Sequence, residues 1–510
     1  MFCKRKADNI MMKKIISLLL IVLILLSFFS GCNDEENPEN TTKAQSADTL
    51  DNTIVLPYIT SDAINPYMCE TNENMNISAL IFESLFTINS DFSVKPVLAK
   101  SYKTEGLLVK VTINSDIRFS DNSLLTTADV VTSFEKAKAS SQYAQSLTNF
   151  ESAIATDSTT VAFTMKSLKQ NPALCLDFPI VRESETGVIG TGVYMIKDSF
   201  LEVNEYSSSA SAVRNKKIKL KELPKGEGLY YGVEVGSISA YYDDLSSGSV
   251  TPATTQTVSV ATNNLIYLGF NASENEPLSD KEVRKAVSLA INRENIVTSC
   301  FQTHAQPSAY PFNPSWANAP DTANDMLSSD LQKAENILRN AKYEKNYLGI
   351  YYKDSSVLDL TLVVNSENGF KKAVAKAIST ELKKIGMNVN VVETDSASVM
   401  SIIESKNFDM YIGEIKQTND MSLSPFFSES NNASKGIDAD SSVAKMYSNY
   451  ENGLKTLNDF IKVYNDEMPF AAICYRKGIL YCTKELADNV NGTYKSVYSN
   501  INSWHFNKSY

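Results

Sequence analysis

Histidine is almost missing from this chain, with only His304 and His505 in 510 residues. Two histidines far apart in sequence exclude a histidine-rich metal centre and leave room for no more than one of them completing a chelate. No GxSxG elbow, HExxH pair or Walker A loop occurs, so the chain lacks the signatures of nucleophile-elbow hydrolases, zinc proteases and P-loop enzymes. Carboxylates are plentiful, so counting does not dismiss a paired-acid hydrolase. No low-complexity tract or fixed-period repeat appears, which excludes a solenoid. The longest wholly apolar core, Leu18 to Leu26, falls short of the ~20 residues needed to span hydrocarbon.

What is present is a globular composition, 43% apolar and 21% charged. A chain this long exceeds one ordinary core and predicts two or three domains. The formal charge is −11, and removing residues 1–31, with five basic and one acidic residue, leaves the rest more acidic still. Such a surface disfavours nucleic acid and anionic lipid as partners but says nothing about charge inside a cleft.

The N-terminus sets the address. Lys13 and Lys14 precede the short apolar core, and Phe29-Ser30-Gly31-Cys32 follows it, which reads as a signal peptide over 1–31. The small residues before Cys32 resemble a bacterial lipobox, whose cysteine thiol receives the lipid. Met11 or Met12 is the alternative start. Each buried lipid methylene contributes ~0.8 kcal/mol, and more than one acyl chain is needed for a stable anchor. Residues 32–51, polar, acidic and aperiodic, predict a flexible tether. Seven cysteines fall to five once Cys3 is removed and Cys32 lipidated. An odd number with no CxxC spacing argues against a complete disulfide framework. Cys474 and Cys482 flank Arg476-Lys477-Gly478 in a predicted hairpin, either paired or left as two buried thiols.

The organising stretch is Asn264 to Val297. It opens as a short apolar run predicting a strand buried on both faces. Ser279 and Glu282 then have capping-box spacing. Val283, Ala286, Val287, Ala290 and Ile291 follow at helical spacing, with Lys281, Glu282, Arg284 and Lys285 on the opposite face. Asn292-Arg293-Glu294 restarts a second helix. Leu360 to Val364, a helix burying Phe370, Val374, Ala377, Ile378 and Leu382 and stopping at Gly386, then Val389 to Val392 make a strand-helix-strand unit. That unit implies a right-handed crossover and a partly parallel sheet.

The wording of these segments is more specific than their pattern. YLGFN with the downstream acidic residue, VR-A and AI-R-I resembles the signature of the family 5 extracellular solute-binding proteins, the peptide and nickel receptors of ABC importers. Other segments resemble that family in its own order: Asn65-Pro66-Tyr67, Ile77 to Ile88 as a helix, Lys95 to Ala99, Arg118 to Asn122, and Thr126 with Asp129 opening a helix. Gly190 to Tyr194, Gly236 to Leu245 as a helix, Lys333 to Tyr343, Tyr464 to Tyr481 and Trp504 to Phe506 continue the series.

The resemblance implies an α/β, two-lobe periplasmic-binding-protein-like fold of type II, cluster C, with an extra subdomain. Lobe one takes 52–80, 185–262 and 488–510, its subdomain 81–184, and lobe two 263–487, with a hinge at 262–271. It also implies ligand contacts. Tyr67 lies in the turn lining the cleft, and Tyr143 falls where relatives carry a cleft-facing aromatic. Beyond the strand Phe408 to Ile415 comes Lys416 to Met421, at the strand ends where ligands of open α/β sheets bind. Relatives there carry a G-W-x-x-D-Y-like run, its Asp pairing with a peptide ammonium. Here Glu414 stands at the Trp position and Gln417 nearest the Asp, so Glu414 or Asp420 suits an ammonium and Lys416 a carboxylate.

The reading is a monomeric, non-enzymatic receptor for a small solute, a peptide first among them. It carries no cofactor and no resident metal, touches the membrane through the lipid of Cys32 on the extracytoplasmic face, and serves a permease and ATPase complex. Two alternatives remain, a lipid-anchored surface hydrolase using paired carboxylates and a non-transporting peptide sensor of the same fold.

Overall fold

The computed structural model describes residues 53–185, 187–224, 228–321, 326–428, 431–486, 489–493 and 495–507. The signal peptide, Cys32 and the tether lie outside them.

Two long antiparallel strands, Gln256–Phe270 and Phe470–Cys482, run side by side from Gln256 opposite Cys482 to Gly269 opposite Phe470. Phe470–Cys482 is buried along nearly its whole length and Gln256–Phe270 from Leu265 onward, which suits strands covered on both faces. Their ladder is interrupted between Ala261 and Asn264, inside the segment where the sequence predicts a hinge. On the far side of the break, Leu265, Leu268 and Phe270 share a core with Ala471, Ile473, Leu362 and Ile378. On the near side, Val260, Leu480 and Cys482 belong with Ile54, Leu56, Tyr194 and Trp504. One continuous pair of strands therefore feeds two hydrophobic cores.

The larger sheet continues from Gln256–Phe270 to Met410–Lys416, Asp359–Asn365 and Asn388–Thr394. The last two are parallel and joined by the helix Gly369–Lys384, as the strand-helix-strand pattern predicts. Gly386 follows that helix at φ +79°, a left-handed turn that glycine adopts without a Cβ clash. Val55–Ile59 pairs in parallel with Lys217–Leu223, extended by Phe200–Val203 and Tyr194–Lys197. A third sheet of Ala99–Glu105, Leu108–Ile113, Thr160–Met165 and Phe150–Ala155 is covered by the helix Thr127–Ala139. Its Phe134 packs edge-on against Phe163. Thr126 and Asp129 close that helix start with a reciprocal capping box, and Asn122 takes φ +72°, both in line with the sequence.

Several expectations are corrected. The helix Lys281–Ala290 is capped by Asp280, whose side chain accepts from the Glu282 N–H, while the Ser279 hydroxyl turns back to the Glu276 carbonyl. Arg284 is not on a solvated face. It is buried and donates to the Leu278, Ser279, Glu467 and Met468 carbonyls, a use of charge that helical periodicity does not register. The helix expected over 77–88 spans Asn72–Ile81 and gives way to the strand Phe86–Ile88. Its end is fixed from elsewhere: Gly192 N–H donates to the Ile81 carbonyl at 2.8 Å, and a Cβ on Gly190 would stand 2.1 Å from that oxygen. Residues 236–245 hold no helix but the strand Ala240–Asp243, after a short helix Leu229–Glu234. Cys474 and Cys482 do not flank a hairpin. They sit in one uninterrupted strand, both buried and both free.

Candidate functional site

The strand Met410–Lys416 ends at a cavity of about 1030 Å³, walled on one side by residues of 145–169 and on the other by residues of 365–452. Small residues on one strand make room for rings on the next. Gly413 pairs with Tyr267, and Tyr411 with Gly269; a Cβ on either glycine would lie 2.2 Å from the tyrosine ring opposite. The two hydroxyls meet at 3.3 Å. Tyr267, Tyr411 and Gly413 all line the cavity.

Glu414 follows directly, part-buried under donors from three residues. Arg476 reaches it with Nε at 2.8 Å and Nη2 at 2.7 Å, Lys371 Nζ lies 3.1 Å away, and Asn264 Nδ2 donates at 3.2 Å. Burial opposes its ionisation, yet Arg476 and Lys371 outweigh it and hold the carboxyl below the ordinary glutamate range. Asp420 is likewise spoken for. Lys169 Nζ is 2.5 Å from its Oδ2 and 3.2 Å from Glu451 Oε2. Burial works against the Asp420 charge, but Lys169 prevails and lowers its pKa. Burial raises that of Glu451, and Asp420 adds to it against the pull of Lys169. Asp420 Oδ1 is buried with no hydrogen-bond partner.

Lys416 remains reachable from solvent and lines both this cavity and a second of about 450 Å³. The cleft walls strip water from its ammonium and Lys495 repels it, with Asp244 and Asp177 offsetting in part, so its pKa lies below the usual lysine value. Tyr143 lines the second cavity and meets the Tyr67 ring edge-on at 5.8 Å. Tyr67 itself is buried, donates its hydroxyl to the Pro179 carbonyl, and lines neither cavity. Gln417 is also turned inward. It donates to the Pro311 carbonyl at 3.0 Å and accepts from the Tyr475 hydroxyl at 2.5 Å.

Of the six residues predicted from sequence, Glu414, Lys416 and Asp420 therefore face the larger cavity and Tyr143 the second, while Tyr67 and Gln417 support the walls. Sequence reasoning missed Arg476, Lys371, Lys169 and Glu451. Arg476 left one usable trace, a cation set inside the apolar strand Phe470–Cys482, which burial forbids without a partner. Lys169 left none, because its carboxylates Asp420 and Glu451 lie more than 250 residues away in sequence. No group of three or more metal-ligating side chains occurs among the described residues, and none of their helices is long and apolar enough to cross a membrane.

Residues 93–436 match the model of the bacterial extracellular solute-binding proteins, family 5. The oligopeptide-binding protein AppA of Bacillus subtilis is 22% identical over 450 residues, 80% of each chain. The glutathione-binding protein GsiB of Salmonella typhimurium is 21% identical over 411 residues, 72% of this chain and 76% of its own. Among solved structures, the unliganded open form of the periplasmic murein tripeptide binding protein MppA superposes with a TM-score of 0.72 at 15% identity. It covers 89% of this chain and 99% of its own. NikA from Brucella suis, solved with Fe(III)-EDTA, gives 0.69 at 16% identity over 89% and 100%. The fold is the α/β, two-lobe periplasmic-binding-protein architecture shared by these structures. With the family model matching well over half its length, the chain belongs to the bacterial extracellular solute-binding proteins, family 5.

Proposed function

We propose that this protein is the receptor of an ABC importer, tethered by a lipid on Cys32 to the extracytoplasmic face of the membrane. It closes two lobes on a short peptide and delivers it, as a monomer, to a permease and ATPase complex. Lobe one comprises 52–80, 185–262 and 488–510 with its subdomain 81–184, lobe two 263–487, and the break at 261–264 is the hinge. Closure around a ligand is an established repertoire for two-lobe proteins.

The observation that carries the reading is the cavity of about 1030 Å³ at the end of Met410–Lys416. Its size suits a ligand larger than an ion. Lys416 is the cation there that is not spent on Glu414 or Asp420, and it suits the ligand's carboxylate. Tyr143 supplies an apolar face in the adjoining space. The relatives that bind oligopeptides and glutathione support a peptide over other small solutes. A hydrolase would need free carboxylates at the cavity, whereas Glu414 and Asp420 are both engaged by cations, so the receptor is favoured over the enzyme.

Native mass spectrometry of protein purified without denaturation tests this. A co-purified mass resolving to one or a few short peptides is expected, and a purely inorganic or lipid adduct defeats the peptide assignment. Cys32→Ala should release the protein from the membrane fraction; retention there would defeat the lipid tether.

A further inference from the structure

Lys169 stands in the segment after Thr160–Met165, yet its ammonium ends among residues of the opposite cavity wall. It touches Asp420 Oδ2 at 2.5 Å and Glu451 Oε2 at 3.2 Å, and all three residues line the same cavity. The segment around it is seated on that wall too. Gln170 Nε2 donates to the Tyr450 carbonyl at 2.9 Å, and Asn419 Nδ2 donates to the Leu174 carbonyl at 3.0 Å. Only 10% of the lysine side chain and 4% of the Asp420 side chain is exposed. The other titratable groups facing this ammonium are the Cys175 thiol and the Tyr447 and Tyr450 hydroxyls. Burial keeps all three protonated at neutral pH, so none adds charge. Two carboxylates thus share one cation. An acidic place of this kind accepts an ammonium, and here the chain fills it with its own.

We propose that Lys169 is a specificity-determining residue: a tethered ammonium that occupies the acidic place formed by Asp420 and Glu451, so that the cavity selects solutes carrying no cation at that end. The proposal rests on the reading of the cavity as a solute site. A ligand ammonium can enter only by displacing Lys169, which would leave that charge buried without its counter-ions. A neutral or acylated end meets no such cost. The selected solutes are N-blocked or N-terminally neutral peptides, held at their other end by Lys416.

Two measurements test this. Lys169→Ala removes the atoms of one propylammonium ion, so added n-propylammonium chloride should restore its thermal midpoint saturably, while 1-propanol does not and the wild type is unmoved. Absence of an ammonium-specific rescue overturns the acidic place as an ammonium receptor. In the second, pools of tripeptides with free and with acetylated N-termini are titrated against wild type, Lys169→Met and Lys169→Arg. Lys169→Met should shift the affinity ratio toward the free-ammonium pool by at least tenfold, and Lys169→Arg should keep the wild-type preference. An unchanged ratio in Lys169→Met overturns the specificity role even where propylammonium rescues. If neither pool binds any of the three proteins, the peptide reading fails and the specificity role with it, while the rescue still decides what the acidic place accepts.

Discussion

Arg476 reaches Glu414 across an intervening strand, its Nε donating at 2.8 Å from Phe470–Cys482 over Asn264 to Met410–Lys416. The pair sits next to the break at Ala261–Asn264, where the two cores meet. With Lys371 it joins three strands and a helix through a single carboxylate.

Removing that carboxylate leaves the buried Arg476 and the part-buried Lys371 without a counter-charge, a loss of up to about 3–5 kcal/mol, the range for a broken buried pair. Glu414→Ala should therefore lower the urea midpoint markedly, and Glu414→Gln, which keeps a hydrogen-bond acceptor for Arg476, by less. Solute affinity should fall more than tenfold in Glu414→Ala, ~1.4 kcal/mol by calorimetry. Unchanged affinity would remove this residue from the site.

The pH dependence follows from the directions of the shifts. Glu414 and Asp420 have folded-state pKa values below their ordinary 4.5 and 3.8. Their contribution is complete above those ordinary values and is lost as pH falls through the depressed ones. Thermal midpoints followed by circular dichroism should hold to about pH 5 and then drop, with a shallower drop in Glu414→Gln. Glu451 acts with the opposite sign: its raised pKa is a cost above it that acidification relieves. A wild-type midpoint that rises monotonically with acid would contradict the assigned directions for Glu414 and Asp420.

Gly413 has no room for a side chain. Its Cβ would lie 2.2 Å from the Tyr267 ring, and overpacking of this kind costs about 1–3 kcal/mol. Gly413→Ala should destabilise the protein by that amount and weaken solute binding as Tyr267 is pushed toward the cavity. In a double-mutant cycle, Tyr267→Leu should recover most of the loss; additive effects would show that the two residues do not meet.

Cys69, Cys175, Cys300, Cys474 and Cys482 are all buried and free, and burial raises the thiol pKa of each. Thiolate is the reactive form. Ellman's reagent should leave a folded chain beginning after Cys32 nearly unlabelled and titrate five thiols in guanidinium, whether or not reductant was present beforehand. Fewer than five would reveal a disulfide.

Local physics settled much of this protein in the sequence. Thr126 with Asp129, Asn292, and Gly386 each satisfy or end a helix through their nearest neighbours, so spacing alone exposes them. The strand-helix-strand unit over 359–394 carries its own apolar periodicity, and the strand Met410–Lys416 with the run beyond it is legible as a place where cavity-lining residues fall. Tertiary structure decided the rest wherever a group is satisfied by a partner distant in the chain. The buried guanidinium of Arg284, the helix stop at Ile81 imposed by Gly192, the inward turn of Gln417 and the capture of Asp420 by Lys169 all depend on such partners. A buried charge or an unpaired carbonyl must find its complement, but only the folded chain determines which residue supplies it.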